Sequence, residues 1–187
     1  MRTTHPTIAL AGLALLALTA APAAAQKLDL TRDYQVLSRG DVKKLHGDLN
    51  KAGQNGIHVV TGSFSGGDRI RLLLEKTSGK ETYEYYIAAA GDMTKLEQQV
   101  SHGGAQGYRI LPNTMTIKSK TLGKGDIVII MEKGPRSKGT YEYLMLDATM
   151  PATMQVTLKS SIEQGYRVVG MFERGKRLLL VLEKQTD

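Results

Sequence analysis

The feature that most constrains this chain is a unit that occurs three times. Its clearest copy centres on Gly165-Tyr166-Arg167-Val168-Val169. The second centres on Gly107-Tyr108-Arg109-Ile110-Leu111, and the most diverged on Gly56-Ile57-His58-Val59-Val60. Tyr34, Tyr85 and Tyr143 each stand 22 residues before their glycine. Each copy then closes on an apolar run ending Glu-Lys, at Glu75-Lys76, Glu132-Lys133 and Glu183-Lys184. The glycine-to-glutamate distances are 19, 25 and 18 residues, so the second copy carries about six extra residues between its last two strands. Anchors in constant order mark an internal repeat, whose units bury their apolar faces against one another.

Within each copy the periodicities predict strand, helix, strand, strand. In the first, Val42, Leu45, Leu49 and Ala52 are spaced 3, 4 and 3 apart, one apolar stripe of a helix. Met93, Leu96, Val100 and Gly103 repeat it, then Met154, Leu158 and Ser161, with Pro151 near the third helix start. Asp41 and Asp92 are N-cap or first-turn acids. Gly56, Gly107 and Gly165 turn each helix into the next strand. Tyr83, Tyr85 and Ile87 share one strand face, as do Tyr141, Tyr143 and Met145. The closing strands are apolar throughout, which predicts burial on both faces and a central place in each sheet.

A right-handed crossover followed by a hairpin returns the third strand most simply between the first two. The expected fold is therefore α+β: three tandem βαββ repeats, mostly antiparallel, with helices on one face, packed as one compact pseudo-symmetric unit. The repeats are expected over residues 26–80, 81–138 and 139–187, joined edge to edge or around a pseudo-threefold axis.

Residues 1–25 predict a signal peptide. Arg2 supplies the charged end, Ile8 to Ala20 the apolar core, and Ala23-Ala24-Ala25 a cleavage site before Gln26. The run is short for a membrane span, though a retained anchor helix is the alternative. The protein is accordingly expected in the periplasm or outside the cell. With no cysteine it has neither disulfides nor a lipidated cysteine, so an exported chain must rest on core packing.

Tyr-Glu-Tyr, an amphipathic helix, Gly-aromatic-x-hydrophobic-Val and an apolar strand resemble a bacterial domain-of-unknown-function family of short βαββ domains. The usual pattern there is Tyr-Glu-Tyr followed by Gly-Trp-Glu-Leu-Val. Here Tyr108, Tyr166 and Ile57 replace the Trp, and Arg109, Arg167 and His58 the following Glu. The resemblance implies the fold three times over and brings no catalytic residues.

The chemistry-bearing residues are sparse. His46, His58 and His102 form no metal-ligand spacing, and no nucleophile elbow or phosphate loop is present. No cofactor is expected. Met145, Met150 and Met154 fit a soft Cu(I) site or, more simply, core positions. Glu84 with Arg109 and Glu142 with Arg167 are expected as cross-strand ion pairs.

Charge is concentrated in the hairpins between the last two strands. Arg69, Arg71, Lys118, Lys120, Lys124, Arg174, Lys176 and Arg177 face only Asp68, Asp126 and Glu173 nearby, a balance of +5 in a chain of net +7. Gathered at one end they would form a basic rim for an anionic polymer, a lipid head group or an acidic protein. The alternative is a turn region kept soluble by charge. Few aromatics accompany these bases, which argues against a single-strand nucleic-acid platform. The function expected is a non-enzymatic exported binding or interaction module for an anionic ligand or surface. The alternative is an enzyme with an unrecognised site in a cleft between repeats.

Overall fold

The computed structural model describes residues 30–63, 69–120, 123–148, 151–174 and 176–186. The predicted leader, residues 1–25, lies outside them. Among the described residues the chain is α+β, with three α-helices and three antiparallel sheets. The first sheet holds β1 (Tyr34–Arg39), β2 (Ile57–Ser63) and β3 (Ile70–Lys76), with α1 (Val42–Gln54) between β1 and β2. The second holds β4 (Glu84–Ala90), β5 (Arg109–Ile110), β6 (Thr116–Lys120) and β7 (Gly123–Lys133), with α2 (Met93–Ala105). The third holds β8 (Thr140–Ala148), β9 (Arg167–Arg174) and β10 (Arg177–Thr186), with α3 (Pro151–Glu163).

The closing strand is central in every sheet: the orders are β1-β3-β2, β4-β7-β5 and β8-β10-β9, with β6 also on β7. This is what continuous apolar runs demand. Leu72 and Leu74, Ile127 to Met131, and Leu179 to Leu182 are all buried. In the second sheet the strand after the helix breaks at a short 3-10 turn, Pro112–Thr114, and much of that unit's extra length falls there.

Local chemistry explains the helix ends. Asp41 and Asp92 are true N-caps, their carboxylates accepting the backbone N–H groups of Lys44 at 2.7 Å and Lys95 at 3.0 Å. Gly56, Gly107 and Gly165 carry φ values of +73°, +83° and +91°, a conformation that costs other residues energy.

The cores chain the units together. The first core joins Leu45, Leu49 and Leu74 to Tyr83, Tyr85 and Ile130 of the second unit. The second joins Leu96, Val100 and Met131 to Met145 and Val181 of the third. The last, Met154, Leu180 and Leu182, belongs to the third unit alone. Met145 and Met154 are thus core residues in different clusters, and Met150 lies outside the described residues.

Each of the first two helices covers the opening strand of the following sheet. The approach is close enough to require glycine. A Cβ on Gly53 would lie 2.0 Å from the Tyr83 carbonyl oxygen, and one on Gly104 would lie 2.3 Å from that of Tyr141. Asn50 on α1 completes the contact by pairing with both backbone groups of Tyr85, at 2.8 and 3.2 Å.

Candidate functional site

The closing strands end on a glutamate in the same setting each time. Across the sheet, Glu75, Glu132 and Glu183 stand opposite Tyr34, Tyr85 and Tyr143 on one side, and opposite His58, Arg109 and Arg167 on the other. All three tyrosine hydroxyls donate to their glutamate, those of Tyr85 and Tyr143 at 2.7 and 3.0 Å. In the first and third units the base completes the set: His58 lies 3.5 Å from Glu75, and Arg167 pairs with Glu183.

The second unit departs from this. Arg109 leaves its register partner Glu132 and pairs with Glu183 of the next sheet at 3.0 Å, its guanidinium over the Tyr141 ring. Glu183, only 1% exposed, therefore holds two arginines and the Tyr143 hydroxyl. Low exposure rewards that concentration of donors, since a buried carboxylate is costly unless fully paired. The expected pairs Glu84–Arg109 and Glu142–Arg167 do not form. Glu84 and Glu142 stand one residue off the rows that hold Arg109 and Arg167, so they face the other side of the sheet and instead accept the hydroxyls of Tyr108 and Tyr166, each at 3.1 Å.

Glu132 is left without a paired cation among the described residues, and a cleft of about 420 Å³ opens beside it. Its walls come from all three units: His58, Tyr83, Arg109, Glu132, Arg136 and Tyr141 among them. His58 stacks on Tyr83, ring centroids 5.3 Å apart and 26° from parallel. Arg136 is exposed and makes no hydrogen bond or ion pair among the described residues.

Burial pushes the Glu132 carboxyl above its ordinary value, against the lowering effects of the Tyr85 hydroxyl, His58 and Arg136. Burial, helped by the hydrogen bond to Glu81, pushes the Tyr83 hydroxyl up to about 12, so it stays a donor. Tyr85 is raised too, by burial first and then by the Glu132 charge. The cleft thus offers a flat aromatic wall, an uncommitted guanidinium, a histidine, and a carboxyl held toward its neutral form. Among the described residues no cluster of three or more His, Asp or Glu is arranged to hold a metal.

The hairpin bases are placed differently. Arg69 folds back onto Ser38, bonding its hydroxyl and carbonyl at 3.0 Å each. Arg174 and Arg177 stand opposite each other in register but diverge, Arg174 to the Gly91 carbonyl at 2.7 Å and Arg177 to Asp147 at 2.6 Å. Arg71 and Lys176 are exposed. The side chains of Lys118, Lys120 and Lys124 lie outside the described residues.

Of the cleft residues, sequence reasoning singled out His58 and Arg109 but missed Tyr83, Glu132, Arg136 and Tyr141 as a group. A signal was available: a glutamate ending an otherwise apolar central strand, in each of the three sheets. No protein-family model, curated protein or solved structure matches the chain.

Proposed function

We propose that this chain is an exported, non-enzymatic binding module, built from three tandem copies of one βαββ repeat, that holds a small organic anion in the cleft between them. The observation that carries the reading is the displaced Arg109. Its departure to Glu183 opens the space beside Glu132, where Arg136 has no partner within the described residues. An anionic group would take the Arg136 guanidinium as a paired donor, with His58 beside it. A flat body would lie against Tyr83 and Tyr141. A concave site between units, with aromatic walls and convergent charged groups, is where a small molecule is most readily held.

The repeat reading rests on the common element order, the common strand order and the Tyr–Glu pair in each sheet. It agrees with the resemblance to short βαββ domains of unknown function. Export rests on the leader, and delivery to the periplasm or beyond follows from it; no helix among the described residues is long and apolar enough to cross a membrane.

The enzyme alternative has one feature in its favour, a titratable pair in a cleft, Glu132 with its raised carboxyl and His58. The repeat accounts for Glu132 without catalysis, because Glu75 and Glu183 take the same tyrosine hydroxyl. Anionic surfaces meeting Arg71, Lys176 and the other hairpin bases are a further partner class, and salt-sensitive vesicle binding that persists in Arg136→Gln would favour them.

The test is a titration of isotope-labelled protein followed by amide chemical shifts. Benzoate should give saturable shifts at His58, Gly134, Arg136 and Ser137. Neutral benzamide should not, and Arg136→Gln should weaken benzoate at least fivefold. Absence of saturable shifts around the cleft with both benzoate and inorganic phosphate would refute the reading.

A further inference from the structure

We infer that Ile162 closes the row of units, blocking a second copy of this chain from docking onto the third unit as the third docks onto the second. The inference rests on the repeat reading proposed above. Counting from the turn glycines Gly56, Gly107 and Gly165, the residue three before is Gly53, Gly104 and Ile162. At the first two, a Cβ would meet a backbone oxygen of the next unit at 2.0 or 2.3 Å, so only glycine permits the joint. At the third stands a branched side chain, 53% exposed.

Two further parts of the joint recur at the open ends. Val59 and Ile110, three residues past their glycines, give their backbone N–H to the next unit's tyrosine hydroxyl, Tyr85 and Tyr143, both at 3.0 Å. Their counterpart Val168 keeps the apolar side chain yet is 45% exposed, against 4% for Val59. At the other end of the row, Tyr34 keeps its glutamate partner but is 58% exposed, against 2% for its counterpart Tyr85. The two ends thus carry the two halves of a contact made twice inside the chain.

Joined head to tail, such halves give a heterologous contact, which adds copies without limit unless the rotation closes a ring. Ile162 interrupts that at the one position where the joint tolerates no side chain. The occupant it excludes is specific: the opening strand of a second copy, entering with Tyr34 toward the Val168 N–H.

The test is sedimentation of the full chain over a range of concentrations. The parent and Ile162→Ala, which keeps a Cβ, should show one mass. Ile162→Gly should show a mass that rises with concentration and at least doubles, and adding Tyr34→Ala should return it to the parent value. Ile162→Gly is also made with Gly47→Ala, at a helical glycine with nothing within 4 Å, which strengthens α1 and keeps the variant folded. A natively folded Ile162→Gly protein at the parent mass would overturn the inference, as would a parent that itself associates through Tyr34. Gly104→Ala separates the two levels of the argument. It should speed hydrogen exchange of the Ile110 N–H about tenfold by opening the internal joint. If it does and Ile162→Gly stays at the parent mass, only the end block fails. If exchange is unchanged, the equivalence of the joints fails as well.

Discussion

The Tyr143 hydroxyl accepts the backbone N–H of Ile110 at 3.0 Å while donating to Glu183 at 3.0 Å. One phenol thereby stitches the edge strand of the second unit to the central strand of the third. Tyr85 does the same between Val59 and Glu132.

Replacing Tyr143 by Phe leaves both partners short of a bond in a place with little water. The expected cost is about 1–3 kcal/mol, read from denaturant unfolding. Tyr34→Phe, at an exposed site, should leave the midpoint unchanged. Equal effects would show that the joints are not what the hydroxyls serve.

Gly104→Ala should destabilise by about 1–3 kcal/mol, because the new methyl meets the Tyr141 carbonyl and the Tyr143 ring. Gly47→Ala, in the middle of α1 with open space around it, should stabilise by about 0.5–1 kcal/mol. Melting temperatures moving in opposite directions check both.

The helices, the turn glycines and the central strands were legible in the sequence, because each follows from a local pattern: the stripe of Leu45 and Leu49, the φ of Gly56, the apolar run at Ile127 to Met131. The packing of Tyr166 was legible only in part. Its place after the repeated turn glycine is clear from the pattern, but the ring is only half-buried, with its hydroxyl on Glu142 and Lys184 above it. Tyr166→Ala should therefore cost about 1–2 kcal/mol, below the 3–5 typical of fully buried rings. The cleft was not legible. Arg109 and Glu183 are 74 residues apart, and no period announces that this arginine, unlike Arg167, crosses to the neighbouring sheet.

Glu132 makes stability depend on pH in a definite direction. Its folded value lies above the ordinary 4.5, so the folded state binds the proton more tightly than the unfolded chain. The group's contribution is fully present below about 4.5 and is lost as pH rises through the raised folded value. Glu132→Gln removes this term. The parent should therefore lose stability relative to the variant as pH rises above about 4.5. A parent that gains on the variant over the same range would mean that Glu132 is held by a cation after all.

On the repeat reading proposed above, one joint is used twice and left open once. Native-state hydrogen exchange at Val59, Ile110 and Val168 decides this, because each amide stands three residues past a turn glycine and, among the described residues, only the first two bond a tyrosine hydroxyl. The account predicts strong protection at Val59 and Ile110 and exchange at Val168 at least a hundredfold faster. Protection at Val168 equal to that at Ile110, or fast exchange at all three, would contradict it.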